Sequence, residues 1–141
     1  MAARLAGEPF VVVSAMGGVT DALLELSRAA REGDRSAAAA ALATLGEKHR
    51  TALDGLGLDP KAAGALREEI ARELARLESL ATGVALLGEL SARTSDAILA
   101  AGELLSAALL SAALAKRGVA VARVDPREWM ATDATPGAAT P

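Results

Sequence analysis

The segment FVVVSAMGGVTD, residues 10–21, contains the pattern that decides the fold. Its continuous apolar run, Phe10 to Val13, predicts a strand that is buried on both faces of a parallel sheet. Two consecutive glycines, Gly17 and Gly18, then precede an amphipathic helix that is expected to begin at about Thr20. Paired glycines permit a tight turn with a positive φ and let a ligand approach the backbone closely. The segment therefore predicts a strand, a tight turn and a helix in succession.

The turn at Gly17 and Gly18 is a candidate anion site. A helix that starts there presents unpaired N–H groups and the positive end of its dipole, both of which favour a carboxylate or a phosphate. An ordinary strand-to-helix turn without a ligand has the same sequence pattern. The segment alone leaves both interpretations open.

The composition indicates one globular domain. The chain has 141 residues, 52% of them hydrophobic, and its only aromatic residues are Phe10 and Trp129, so aliphatic side chains and alanine must build the core. A net charge of −3, without a basic stripe or aromatic residues for stacking on bases, argues against a nucleic-acid partner. The absence of cysteine excludes disulfides and a thiolate nucleophile, and it favours a cytoplasmic protein.

Two apolar stretches could be mistaken for export or membrane segments. The stretch from Met1 to Met16 is interrupted by Glu8 and Pro9, which argues against a signal peptide. The stretch from Ala97 to Ala115 is nearly uncharged, but it carries Glu103 near its middle. A carboxylate at that depth costs roughly 2.5–3.5 kcal/mol on insertion scales. We therefore expect a buried helix of a soluble protein and no membrane partner.

The apolar periodicity predicts a mostly helical chain of the α/β class, with about five helices and two core strands. The second strand is expected at Val119–Val124, and residues 127–141 resemble a loop or an extended tail. The first helix is expected from about Thr20 to Arg31, and the second from a cap at Asp34 or Ser36 to about Leu53. The third is expected from Pro60, which follows the cap Asp59, to about Leu90. A further helix is expected from a cap at Thr94 or Ser95 to a last turn with Lys116 and Arg117. The side chains expected to face the core include Leu23, Leu24, Leu26 and Ala30 in the first helix and Leu66, Ile70, Leu74, Leu77, Ala81, Val84 and Leu87 in the third.

The two predicted strands do not make a sheet by themselves. About a hundred residues of helix separate them, and two strands are too few for a stable buried sheet. Either other chains complete the sheet or the chain belongs to a longer protein, and we favour the second explanation.

Glu103 is the second candidate functional residue. It lies on the predicted helix that is apolar on nearly every side, and a buried carboxylate is costly unless it is paired. The neighbouring Gly102 removes a side chain beside it. Glu103 could therefore face a cationic ligand group. Alternatively, it pairs with Arg93 or Arg123, or it emerges at the helix end.

Three segments of the chain resemble the catalytic domain of aspartate kinases, in the amino-acid kinase superfamily. They are VVVSAMGGVTD at residues 11–21, ELSARTSDAILAAGELLSAALL at residues 89–110 and VARVDPREWMATD at residues 121–133. The resemblance implies part of an open αβα sandwich that binds ATP, Mg²⁺ and L-aspartate. It also implies phosphorylation of the aspartate β-carboxylate, the first step toward lysine, threonine and methionine. We expect the parent enzyme to be a homodimer.

The resemblance also implies site residues. Ser14 and Thr20 correspond to the hydroxyl residues beside the substrate aspartate, and Glu103 corresponds to the glutamate that receives its α-ammonium group. The backbone of Gly17 and Gly18 fits the anion turn. His49 has no implied role and is expected on a helix surface or at an interface, and Trp129 is expected to pack the tail.

The chain departs from the family pattern in one respect. The opening strand of the family, with its Lys-Phe-Gly-Gly-Thr-Ser motif, is absent, as are the later nucleotide-binding loops and the ACT domains. We therefore expect residues 1–141 to form a partial catalytic domain that is inactive alone, with no catalytic or metal-binding residue of its own. The alternatives are a non-catalytic helical interaction module derived from a kinase gene, or another amino-acid kinase acting on glutamate, carbamate or a nucleotide.

Overall fold

The computed structural model describes residues 2–5 and 8–125. They form two strands and four helices, in the order β1 (Ala2–Leu5), β2 (Glu8–Val11), α1 (Val19–Glu32), α2 (Arg35–Leu56), α3 (Pro60–Leu87) and α4 (Ala92–Lys116). The mostly helical character agrees with the prediction. The described residues contain four helices, however, and not five. Trp129 and the expected tail at residues 127–141 lie outside the described residues.

The helix boundaries follow local capping chemistry. Asp34 Oδ1 accepts a hydrogen bond from the Ala37 N–H at 2.9 Å and so caps α2, as expected. Asp59 Oδ1 accepts from the N–H groups of Lys61 and Ala62, both at 3.0 Å, and Pro60 occupies the first turn of α3.

The cap of α4 differs from the expectation. Ser91, and neither Thr94 nor Ser95, caps this helix, because the Ser91 Oγ accepts from the Thr94 N–H at 3.1 Å. Helix α3 also ends earlier than expected, at Leu87 instead of Leu90, because Gly88 turns the chain in the left-handed region.

The core consists of two apolar clusters between the helices. The first cluster includes Val19, Leu23, Leu26, Leu45, Leu77 and Ile98. The second includes Leu53, Leu66, Ile70, Leu105 and Leu109. Met16 and Leu74 are half-buried and pack against both clusters, so they join the two into a continuous core.

Two of the predicted core side chains are on the surface. Leu24 is 50% exposed and Leu87 is 80% exposed. Leu24 follows the buried Leu23 and therefore lies about 100° further around α1, beyond the face that contacts the other helices. Leu87 is the last residue of α3 and follows Leu86, which is also exposed, so the apolar side chains at this end of the helix are not covered.

Helix α4 is buried on one side only. Ile98, Ala101, Leu105 and Leu109 are buried against the other helices, but the intervening leucines are half-buried. Among the described residues it is the only helix whose length and apolar composition would allow it to cross a membrane. In the fold it packs against α1, α2 and α3.

The predicted parallel sheet is not found in the described residues. β2 runs from Glu8 to Val11 and pairs antiparallel with β1, with Ala3 opposite Phe10. This ribbon contacts none of the four helices. Phe10 is 40% exposed and Val12 is 74% exposed, so the expected burial on both faces is wrong.

The expected second core strand at Val119–Val124 is also wrong. The residues there are not in a strand, and Val119, Val121 and Val124 are exposed. An apolar β-branched run forms a core strand only where neighbouring strands pair with it, and within the described residues no strand pairs with this segment.

Candidate functional site

The glycine turn is present as predicted and leads directly into α1. The Val19 N–H donates to the Met16 carbonyl at 3.0 Å, which closes a four-residue turn with Gly17 and Gly18 at its centre. Gly18 has φ 72 and ψ 8, the values of the third residue of a type II turn. Helix α1 begins at Val19, one residue before the expected start, and no side chain caps it. The Val19 N–H is thus used within the turn, whereas the next N–H groups of the helix, those of Thr20 and Asp21, are available to an external acceptor.

The two hydroxyl residues assigned from the resemblance flank this turn. Ser14 precedes the turn and Thr20 lies in the first turn of α1, and the side chains of both residues are exposed. Gly17 and Gly18 are exposed as well. The four residues thus lie together at the amino end of α1, where solvent and a small ligand can reach them.

Helix α4 contacts the same turn through Gly102. A Cβ atom at Gly102 would lie 2.9 Å from the Ala15 Cβ, 3.1 Å from the Leu23 Cδ1 and 3.2 Å from the Val19 Cγ1. Gly102 is buried, and no side chain would fit there without displacing one of these groups. The lack of a side chain lets α4 pack directly against the start of α1, and Glu103 is the residue of α4 that follows this contact.

The expected burial of Glu103 is wrong, because Glu103 is exposed. It follows the buried Gly102 and therefore lies about 100° further around α4, at the rim of the helix interface. Arg123 pairs with Glu69 at 2.7 Å and not with Glu103. Within the described part of the chain Glu103 has no ion pair, so its carboxylate is accessible to a cationic group of a ligand.

Lys48 is a residue of the site that sequence reasoning missed. Its Nζ donates to the Gly17 carbonyl at 3.2 Å, and a Cβ atom at Gly18 would lie 3.1 Å from the same nitrogen. The connection between α1 and α2 is short, so the two helices run back along each other and residue 48 lies level with the glycine turn. This antiparallel register was the available signal, since the two helix lengths place residues 17 and 48 at the same level, although they do not specify the face on which Lys48 lies.

His49 lies in the interior and has no surface exposure. It is therefore a core residue, and the expectation of a helix-surface or interface position is wrong. Its Nδ1 donates to the Leu45 carbonyl at 2.7 Å, while its Nε2 has no hydrogen-bond partner. Burial lowers the pKa of His49, the hydrogen bond to Leu45 opposes this shift, and the nearby charge of Lys48 lowers the pKa further. The ring is thus a neutral core side chain.

The described residues do not form a metal site. They contain no group of three or more His, Asp or Glu side chains that could hold a metal ion. The Mg²⁺ implied by the resemblance is therefore not assigned to any of them.

An open cleft of about 470 Å³ lies at the opposite end of α1, between Gly33, Arg35, Glu78 and Leu86, and it is separate from the glycine turn.

Comparison with known proteins identifies the family. The sequence profile described as the amino acid kinase family matches residues 2–137, and the chain belongs to that family. More particularly, it is similar to plant aspartokinases. It is 34% identical over 118 residues to the chloroplastic bifunctional aspartokinase/homoserine dehydrogenase 2 of Zea mays, and 35% identical over 126 residues to the protein of the same name from Arabidopsis thaliana.

The two matches cover 84% and 89% of this chain, and in each case 13% of the plant protein. The chain therefore spans a small part of the length of these relatives. The resemblance to aspartate kinases is confirmed by both matches.

Proposed function

We propose that the chain supplies the aspartate-binding part of an aspartate kinase, whose complete form transfers the γ-phosphoryl group of ATP to L-aspartate. The observation that carries this proposal is the contact of Gly102 with Ala15 and Val19, since it packs α4, the helix that carries Glu103, against the amino end of α1. The similarity to plant proteins named aspartokinases supports the same substrate class.

L-aspartate has two carboxylates and one ammonium group. The proposed site offers hydrogen-bond donors to the carboxylates and a carboxylate to the ammonium group. The hydroxyls of Ser14 and Thr20 and the free N–H groups at the start of α1 donate hydrogen bonds to carboxylate oxygens. The exposed carboxylate of Glu103 pairs with the ammonium group. Together the hydroxyls, the N–H groups and the Glu103 carboxylate would fix the orientation of the substrate. Such positioning is a large part of what a protein contributes to phosphoryl transfer.

In the proposed reaction an oxygen of the β-carboxylate attacks the γ-phosphorus of ATP. A new oxygen–phosphorus bond forms, the bond to the β,γ-bridging oxygen breaks, and ADP leaves, so that the product is aspartyl phosphate. The residues proposed here bind and orient the acceptor. We propose that residues elsewhere in the catalytic domain stabilise the phosphoryl group during its transfer. We therefore expect the chain to be inactive alone.

The test uses the full-length product of the gene and the 141-residue chain in parallel. With ATP and Mg²⁺, the full-length product should form an acyl phosphate, trapped as the hydroxamate, from L-aspartate and not from L-glutamate or carbamate. The chain alone should form none. Turnover with glutamate or carbamate instead would identify another amino-acid kinase, and turnover by the chain alone would show that the nucleotide site is present after all.

Exposed apolar side chains support a second candidate function, that of a non-catalytic interaction module. Phe10 in β2, Val12 just after β2, and Val119, Val121 and Val124 after α4 are all exposed. Such side chains favour association with another polypeptide. A discrete oligomer of the chain in light scattering, together with a full-length product that lacks kinase activity, would favour this function.

For the kinase itself we propose a homodimer in the cytoplasm.

A further inference from the structure

Lys48 donates a hydrogen bond to the central peptide group of the glycine turn. Type I and type II turns differ by a rotation of about 180° of the central peptide, which here joins Gly17 and Gly18. Because both residues are glycines, side chains oppose neither orientation. The φ of 72 at Gly18 corresponds to type II, and the hydrogen bond from the Lys48 Nζ holds the Gly17 carbonyl toward α2.

The same hydrogen bond determines where the Gly18 N–H points. In a trans peptide the carbonyl and the N–H point in opposite directions, and no peptide bond in the described residues is cis. With the Gly17 carbonyl directed toward α2, the Gly18 N–H is directed away from α2. It donates to no backbone carbonyl of residues 2–5 and 8–125. This donor is therefore available on the exposed side of the turn.

A comparison with Lys116 shows that helix capping does not explain the position of Lys48. The Lys116 Nζ donates to the Leu56 carbonyl at 2.6 Å and would lie 3.1 Å from a Cβ atom at Gly57. Leu56 ends α2, where a cation is favoured by the helix dipole. Lys48 makes the same pair of contacts at the start of α1, where the dipole disfavours a cation. A cation that is placed where the helix dipole disfavours it indicates a functional role for that residue.

We infer that Lys48 is a positioning residue of the substrate site: it holds the Gly17–Gly18 peptide so that the Gly18 N–H donates to a carboxylate of the bound amino acid. This inference rests on the proposed function, since that function supplies the carboxylate. Lys48 acts through the turn and does not itself need to touch the substrate. Without its hydrogen bond, the peptide samples both orientations and the site loses part of its affinity.

The experiment compares three variants of the full-length gene product in steady-state kinetics with ATP and L-aspartate. Lys48→Met removes the donor and retains most of the side-chain volume. Lys48→Arg retains a cationic donor, and Lys116→Met removes the equivalent hydrogen bond at the distant helix end. We expect Lys48→Met to raise the KM for L-aspartate about tenfold with kcat nearly unchanged. Lys48→Arg should restore most of the affinity, and Lys116→Met should leave the KM unchanged.

Hydrogen exchange measured by mass spectrometry gives a second readout. L-aspartate should protect the segment around Gly18 in the wild-type protein, and the protection should fall in Lys48→Met. If Lys48→Met does not give folded protein, Lys48→Leu, which also lacks a hydrogen-bond donor, takes its place. An unchanged KM with unchanged protection in either variant would overturn the inference and leave the proposed function standing. An equal rise in KM for the Lys48 and Lys116 variants, or an effect confined to kcat, would overturn it as well.

Failure of the proposed function gives a different result. In that case the wild-type protein would show neither aspartate-dependent turnover nor protection by L-aspartate. The role of Lys48 at this site would then be refuted together with the function.

Discussion

Gly102 of α4 and Ala15 of the turn approach so closely that a Cβ atom at residue 102 would lie 2.9 Å from the Ala15 Cβ. Real Cβ atoms do not approach this closely, so the contact between α4 and the start of α1 requires glycine at this position. The glycine thereby brings the helix with the proposed ammonium partner beside the turn proposed to bind carboxylates.

Replacing Gly102 by alanine should therefore destabilise the protein. The new methyl group forces Ala15, Val19 or Leu23 to move, and such overpacking costs about 1–3 kcal/mol, against a gain in helix propensity of up to about 1 kcal/mol. Urea unfolding should show a net loss of free energy of unfolding. Gly64→Ala in α3 is the matched control, since nothing lies within 4 Å of a Cβ atom there, and it should be stabilising. Equal stabilisation by both variants would contradict the close contact.

Gly18 should also resist substitution, for a different reason. Its φ of 72 lies in the left-handed region, which costs an alanine about 1–2 kcal/mol, and the new methyl group would also meet the Lys48 Nζ. Gly18→Ala should lower the midpoint of urea unfolding clearly. Gly17→Ala, which meets no atom within 4 Å, should change it little. If the two variants had the same midpoint, the type II assignment of the turn would be wrong.

His49 should make stability depend on pH in the mildly acidic range. Since its pKa is lowered in the folded state, the unfolded chain binds more protons once the pH falls below about 6.5. The contribution of the neutral ring is complete above that pH. It is lost progressively as the pH falls toward the folded pKa, by at most about 1.4 kcal/mol per pH unit. Comparing urea unfolding of the wild type with His49→Leu between pH 8 and pH 5 isolates this effect. A constant difference between the two proteins over this range would count against a neutral buried ring.

Glu103 should affect substrate affinity and not stability. Its carboxylate is exposed and has no ion pair within the described chain, so Glu103→Gln should leave the free energy of unfolding within about 0.5 kcal/mol of the wild type. In the full-length gene product the same change should raise the KM for L-aspartate by about tenfold or more, because the ammonium group loses its charged partner. Glu68→Gln, on the exposed face of α3, is the matched control and should leave the KM unchanged. An unaltered KM in Glu103→Gln would remove Glu103 from the site.

Features that depend on neighbouring residues alone were predictable from the sequence. Asp59 followed by Pro60 marked the start of α3, and Asp34 marked the start of α2, because capping involves residues within one turn. The glycine turn and the start of α1 were predictable for the same reason. The apolar pattern of residues 97–115 likewise predicted the helix on which Glu103 lies.

Features that depend on distant partners were not predictable in this way. Phe10 to Val13 has the composition of a buried strand, but burial requires neighbouring strands that the pattern does not specify. Glu103 was expected to be buried because its helix is apolar, yet the rotation of α4 is set by Gly102 against Ala15, which is a tertiary contact. Lys48 carried no motif, and only the antiparallel path of α1 and α2 brings it to the turn.

The ribbon formed by β1 and β2 differs from the helices in how easily it should open. It contacts no helix, and an isolated two-stranded ribbon is marginally stable at best in water. The four helices, by contrast, share a core that Met16 and Leu74 make continuous, so they should open together and rarely. A polypeptide that docked on the ribbon would therefore have little local order to overcome, and it would set the final path of these strands as it bound.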